Sequence, residues 1–472
     1  MDETLLEKRE AGRLWEVTAW AVFLEELKKV SCLAMPVAAM AVLLYLQEVV
    51  SLMMAGHLGE LALSGVAIST SFCNVTGFSL LMGFSSGLET LCGQAYGAKQ
   101  YQKVGTYTYC AIISILPICI PVCLVWIFMD KLLVLIGQDP QIAMVACKYA
   151  TWLIPALFAY AILQSQIRFF LCQSMILPMM FITLATLVFH IPVCWVLVFK
   201  TRLGNSGAAL AIGLSYWFNV ILLGLYMRYS SSCERTRVLV VKDVFSSVKE
   251  FFRFGVPSAV MVCLEWWSFE ILILLSGLLP NSKLETSVLS VCFTTTSVHF
   301  YIPYGISAAA STRVSNELGA GKPQAAQTAS FVVMVVTLAE SVLASTILFC
   351  CRYVFGYAFS NEKEVIDNVT KLVPLCCLSI IMDSLHAGLA GIVRGIGWQH
   401  IGAYANLGAY YLVGIPTGIL CGFVLELRGS GLWLGMLAGS TVEGILLTPV
   451  AVFTNWKKQA TLAKERIFEG TY

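Results

Sequence analysis

The sequence predicts an all-α integral membrane protein with twelve transmembrane helices in two six-helix lobes, related by a parallel pseudo-two-fold repeat. Three observations predict it. Of 472 residues, 58% are hydrophobic and 12% charged, about half the ~25% charge of a soluble protein. The apolar residues gather into twelve long runs, near the ~20 residues that cross a bilayer as helix. The second half of the chain also repeats the first at a slowly drifting offset. The net charge of +2 gives no electrostatic footprint for nucleic acid.

Residues 1–30 hold twelve charged side chains, from Asp2 to Lys29. They read as a cytosolic leader rather than a cleaved signal peptide. Trp15, Trp20 and Phe23 would suit it to the membrane surface as an amphipathic helix. The N-lobe, 31–228, holds runs at 31–55, 65–92, 104–129, 141–166, 176–199 and 206–228. The third has no Asp, Glu, Lys or Arg. The boundary between fourth and fifth rests on Arg168, Gln173 and Pro178. Residues 229–250 form the longest polar connection and read as a cytosolic linker. The C-lobe, 251–456, holds runs at 251–279, 288–316, 324–350, 367–394, 401–425 and 431–456, and 457–472 is a cytosolic tail.

Basic residues mark the cytosolic side of a membrane protein. With a cytosolic N-terminus, 21 of the 30 Lys and Arg fall on that side, among them Lys99, Lys103, Arg235, Arg237 and Lys457. Both termini are therefore expected inside. None of the 17 cysteines forms a C-x-x-C pair, so no zinc site or disulfide framework is predicted.

The repeat is legible residue by residue. Met35-Pro36 matches Val256-Pro257. Gly83, Ser85, Thr90, Gln94 and Gly97-Ala98 match Gly305, Ser307, Thr312, Asn316 and Gly319-Ala320. Arg168 and Gln173 match Arg394 and Gln399, and Ser206-Gly207 matches Ser430-Gly431. Six helices per half bring both halves in from the same side, which makes the repeat parallel. In transporters so built, sites lie near the midplane.

The chemistry stands out against this frame. Glu265-Trp266-Trp267-Ser268-Phe269-Glu270 sits inside the seventh run, and Asp383 inside the tenth, near His386. An acid at mid-bilayer costs at least ~2.5 kcal/mol and is a functional candidate by default. Burial and a neighbouring like charge both favour the neutral form of a carboxylic acid, so such a group can hold a proton delivered by a gradient. Glu265 corresponds to Leu44 in the first half, so the fold does not demand the acid. Glu270 lies ~140° around the helix from Glu265, and both face one site only if the helix bends, as Pro257 allows. Glu48 is the N-lobe candidate for a further acid, and Glu89 is read as closing the inner side. Trp266, Trp267, Tyr301, Tyr304, His299 and His386 could stack on flat or cationic substrates. Arg394 could bond a carboxylate of the group, and His386 is read as tuning Asp383.

The strings SGLETLCGQAYGAKQ (86–100), STRVSNELGAGKP (311–323), MMAGHLGELALSG (53–65) and EWW at Glu265 resemble the multidrug and toxic compound extrusion (MATE) transporters, especially eukaryotic members of the plant detoxification type. The resemblance spans about Lys28 to Lys458. It implies two six-helix lobes, a V-shaped central cavity and cation-coupled efflux of organic compounds. It assigns proton coupling to Glu265 and Asp383, with Glu270 completing an acidic pair, and helix bends to Pro36 and Pro257. Where many bacterial members carry an Asp in the first helix, this chain has Ser51, which moves the expected coupling to the C-lobe.

The resulting expectation is a proton-driven antiporter exporting organic cations, xenobiotics or secondary metabolites. It needs no cofactor besides the proton, is a monomer, and sits in the plasma or vacuolar membrane. Sodium coupling, an organic anion such as citrate as substrate, or a passive channel are the alternatives. An enzyme is not expected, since no metal-ligand spacing appears. Gly319-Ala-Gly-Lys322 is followed by Pro323 where a phosphate-binding loop needs Ser or Thr.

Overall fold

A computed structural model describes residues 2–359 and 362–468, with side chains from residue 20 onward except at 282, 283, 286 and 358. In the N-lobe the long helices are α1 Asp2–Gly56, α2 Glu60–Gly97, α3 Tyr101–Ile127, α4 Pro140–Cys172, α5 Ile176–Lys200 and α6 Asn205–Tyr229. In the C-lobe they are α7 Val248–Ser276, α8 Ser282–Gly319, α9 Pro323–Cys350, α10 Lys363–Ile396, α11 Gln399–Val424 and α12 Arg428–Phe453. Eleven of these are long and apolar enough to span a bilayer. The exception, α8, carries Thr294, Thr295, Thr296, Ser297 and His299 in its middle, polarity that suits a helix facing the interior of a bundle.

The leader and the tail are both helical. α1 runs unbroken from Asp2 through Pro36 to Gly56. No proline interrupts the first 35 residues, so nothing forces a break. Trp15 lies outside the described side chains. The C-terminal tail is largely structured as α13, Trp456–Phe468. Its Trp456, Ala460, Ala463 and Ile467 are buried, spaced as one helix face.

The linker is folded against the N-lobe. Thr236 is buried and donates to Gln173 Oε1 at 2.8 Å, while Arg237 closes the end of α6 by donating to the Met227 and Ser230 carbonyls at 3.4 and 3.2 Å.

The lobes meet along a seam of small residues. α2 lies against α7 and α8, and α8 against α1. A methyl group on Gly87 would sit 2.8 Å from the Gly255 nitrogen, and one on Gly83 2.6 Å from the Ala259 Cα. At the end of the seam, Gly97 abuts the Asn316 backbone and its repeat partner Gly319 abuts that of Gln94, each with no room for a side chain. One hydrophobic core runs through the N-lobe and across this closed end into α8, α9, α10 and α13. At the far end the C-lobe has its own core, with Leu272, Val288, Cys292, Val369 and Trp433. The lobes share packing at one end and have separate cores at the other.

Candidate functional site

Helices α7, α10 and α12 of the C-lobe bring three acids and a histidine together, with Tyr410 of α11 beside them. Asp383 accepts from Ser440 Oγ at 2.6 Å. His386, one turn further along α10, places Nε2 3.9 Å from Asp383 Oδ1 and Nδ1 3.2 Å from Glu443 Oε2. The Nδ1 contact is an ion-pair approach that is off line for a hydrogen bond. Glu443 also accepts from Tyr410 Oη at 2.9 Å, and its second oxygen is buried without a hydrogen-bond partner. Glu265 completes the group from α7, within electrostatic reach of His386, Glu443, Arg394 and Asp383.

Exposure sorts the four. Glu443 and His386 are buried, at 0% and 1%, while the Asp383 side chain is 17% exposed and Glu265 is half-buried. Glu443 and His386 are thus enclosed, and Asp383 and Glu265 are partly open. A widened, π-type stretch of α11 from Leu407 to Gly414 carries Tyr410, and such turns are frequent at functional sites. The group is one-sided. At the offsets set by Arg168/Arg394 and Ser206/Ser430, Asp383 corresponds to Leu157, His386 to Tyr160 and Glu443 to Asn219.

Sequence reasoning singled out Glu265, Asp383 and His386. It gave no part to Glu443, Tyr410 or Ser440. Ser and Tyr are ordinary in such runs, and no spacing in the chain links α11 and α12 to α10.

Other candidates fall elsewhere. Arg394 reaches the seam, where its Nε is 3.0 Å from Glu89 Oε2 and it donates to Ser307 Oγ at 2.8 Å. Arg168, its repeat partner, lies 3.2 Å from Glu89 Oε1. Glu270 accepts from Ser71 Oγ of α2 at 2.8 Å. Trp267 donates to the Val75 carbonyl at 2.9 Å and Trp266 is 39% exposed. The aromatic residues form no single cluster. Tyr301 packs on Tyr45 with ring centroids 5.2 Å apart, Tyr304 Oη lies 3.5 Å from Arg168, and His299 is 2.7 Å from Glu340. Pro36 and Pro257 lie inside α1 and α7, which continue past them.

In the N-lobe, Ser51 is buried and bonded to His190 Nε2 at 3.1 Å, with His190 Nδ1 2.8 Å from Ser215 Oγ. This is a hydrogen-bonded group without a carboxylate. Glu48 lies apart from it, 3.5 Å from Tyr216 Oη. The string Gly83-Phe-Ser-Ser-Gly87 has the spacing of a hydrolase nucleophile elbow. It lies within helix α2, and Ser85 Oγ bonds back to the Met82 carbonyl at 2.8 Å, so it lacks the strand-to-helix turn which that chemistry requires.

A model of the MatE family matches residues 36–196 and 257–420, one block in each lobe. The chain belongs to the MATE family. Among MATE proteins it is 56% identical to Protein DETOXIFICATION 3 of Arabidopsis thaliana over 466 residues, covering 99% of this chain and 97% of that protein. It is 55% identical to Protein DETOXIFICATION 14 of the same plant over 450 residues, covering 95% and 93%. It superposes with a TM-score of 0.91 on a crystal structure of the eukaryotic MATE transporter AtDTX14, at 55% identity, covering 94% of this chain and 100% of that one. A multidrug resistance MATE family transporter solved in an outward-facing conformation shares the fold at 14% identity, with a TM-score of 0.80 and coverage of 93% and 97%. This MATE protein is thus a multi-pass membrane transporter of the plant detoxification type, not an enzyme, and its family binds small organic substrates within the membrane.

Proposed function

We propose that the protein is a proton-coupled antiporter exporting organic compounds, cations foremost, by alternating access. The observation that carries this is the one-sided C-lobe group. Two partly exposed acids, Glu265 and Asp383, stand in front of the buried His386–Glu443 pair. An ionised acid attracts a cation in a site of low dielectric, and a protonated one releases it. Proton and substrate then favour different states of one site, as exchange requires.

Closure at the Gly97–Gly319 seam, with separate cores at the far end, supports reading the described state as one that faces outward. The closed end is cytosolic on this reading, since the basic linker and both termini belong to it, and the surrounding membrane is the plasma membrane or the vacuolar membrane. The transporter works as a monomer and uses no cofactor besides the proton.

Purified protein in liposomes tests this. With an imposed pH gradient, uptake of labelled organic cations should follow the gradient and stop when a protonophore collapses it. Uptake that follows a sodium gradient, that favours an organic anion such as citrate, or that runs without counterflow would put one of the alternatives in its place.

A further inference from the structure

Helix α13 belongs to the C-lobe by connection and ends on the N-lobe. It follows α12 after Thr454 and Asn455, and Asn455 Oδ1 accepts from the Lys458 amide at 3.0 Å where the helix starts. It packs against α8 and α9, and Lys464 lies over Gly321 in the α8–α9 turn, where an added methyl would come within 2.3 Å of its Cε. The last turn reaches the other lobe. Arg466 donates to Gln94 Oε1 of α2 at 2.6 Å, and Lys103 of α3 donates to the Ile467 carbonyl.

Gln94 is also the residue whose backbone Gly319 abuts at the seam. Its side chain is held at both ends by the C-terminal half of the chain. Oε1 takes Arg466, while Nε2 donates to the Gly395 and Ile396 carbonyls at the end of α10, at 3.3 and 3.4 Å. The Arg466 guanidinium carbon stands 4.8 Å from the centroid of the Phe254 ring on α7. One turn earlier on α7, Glu250 accepts from Tyr107 of α3 at 3.0 Å and lies within electrostatic reach of both Arg466 and Lys103. Hydrogen bonds from an ionised donor are about twice as strong as neutral ones, and both bonds from α13 to the N-lobe are of that kind.

The closed end can open only if Gln94 and Gly319 part. Packed interfaces of this kind switch between discrete arrangements rather than stretch. The chain connection to α12 and the packing on α8 and α9 keep α13 with the C-lobe. When α2 and α3 withdraw, the bonds that must break are therefore those of its last turn. We infer that α13 is a latch: its final turn holds α2 and α3 against the C-lobe, and its release accompanies opening of the closed end. This rests on the alternating-access reading and not on which ion drives transport.

Pulsed electron–electron resonance on the full-length protein in liposomes tests the latch. Spin labels go on Lys99→Cys in the α2–α3 turn and Gln324→Cys at the start of α9, both exposed, in a background carrying Cys32→Ser, Cys350→Ser and Cys351→Ser at the exposed native thiols. Arg466→Ala, or ending the chain at Glu465, should raise the fraction of molecules at the longer lobe-to-lobe distance at least threefold. Arg466→Lys should restore most of the short-distance fraction, and Lys457→Ala, exposed on the first turn, should leave it unchanged. A second arm needs no loss of a buried side chain. Joining Lys103→Cys to Phe468→Cys, which is exposed, with a short bis-maleimide should cut substrate flux at least tenfold. Distances equal to the wild type in both Arg466→Ala and the shortened chain, or full flux in the cross-linked protein, would overturn the inference. Wild-type uptake that ignores a pH gradient would overturn proton coupling alone and leave this distance test standing.

Discussion

Arg394 Nε stands 3.0 Å from Glu89 Oε2, and that contact ties α10 of the C-lobe to α2 of the N-lobe. Arg168, which occupies the equivalent place in the other half, reaches the second oxygen of the same carboxylate at 3.2 Å. The repeat therefore converges on one acid at the seam. Removing one member of a buried ion pair costs ~3–5 kcal/mol, because the partner charge is left uncompensated. Glu89→Gln should lower the melting temperature of the purified protein by several degrees and reduce transport. Arg394→Gln should do less harm, because Arg168 still holds Glu89. Equal melting temperatures for Glu89→Gln and the wild type would remove this lock.

Gly97 and Gly319 make the matching steric prediction. A side chain at either would meet the facing backbone of Asn316 or Gln94. Gly97→Val and Gly319→Val should wedge the seam apart. A Ser311→Cys reporter, buried in the seam, should become reactive to a polar maleimide in those backgrounds and stay protected without them. Equal labelling in all three would show that the seam does not need these glycines.

Much of this architecture was legible in the chain. Charge depletion and apolar run length fix twelve crossings, because a bilayer admits few other ways to satisfy backbone hydrogen bonds. The matched Gly, Ser, Thr and Arg positions gave the two lobes. Glu265 and Asp383 announced themselves because charge is costly in lipid. The rest depends on helix-to-helix placement. Glu443 joins the group only through the packing of α12 beside α10. Arg394 lies near Asp383 in sequence, but 11 positions further along α10 is ~16 Å, which carries it toward the seam. The continuity of α1 from the leader into the membrane was hidden because charged and apolar residues serve equally well in a helix.

The helix prolines give a third prediction. Pro36 and Pro257 each remove a backbone hydrogen bond from a spanning helix and soften it. Pro36→Ala and Pro257→Ala should express normally and transport at least several-fold more slowly, as measured by substrate flux per protein in liposomes. Wild-type flux in both variants would take these prolines out of the mechanism.

Glu443 gives a fourth. With one oxygen lacking a hydrogen-bond partner and His386 3.2 Å from the other, its charge holds the imidazole in place behind Asp383. Glu443→Gln should retain substrate binding while shifting the pH dependence of transport, a readout that a purely structural role would leave unmoved. An unchanged pH profile would confine Glu443 to packing.

Coupling itself is tested most directly at the outer acids. One pH unit supplies ~1.4 kcal/mol per proton, and 100 mV adds ~2.3 kcal/mol per charge moved. Together they can sustain a gradient of several hundredfold for a neutral substrate, whereas one monovalent cation exchanged for one proton moves no net charge and keeps only the roughly tenfold of the pH term. Glu265→Gln and Asp383→Asn imitate the protonated state permanently, so the cycle should stall. The decisive measurement is pH-gradient-driven uptake of an organic cation into liposomes containing each variant, with Ser51→Ala as the N-lobe comparison. Coupling in the C-lobe predicts that both amide variants fold and insert yet lose gradient-driven uptake, while Ser51→Ala keeps it. Wild-type rates and pH dependence in Glu265→Gln and Asp383→Asn would contradict it and send the search for the coupling acid to Glu48 and Glu89.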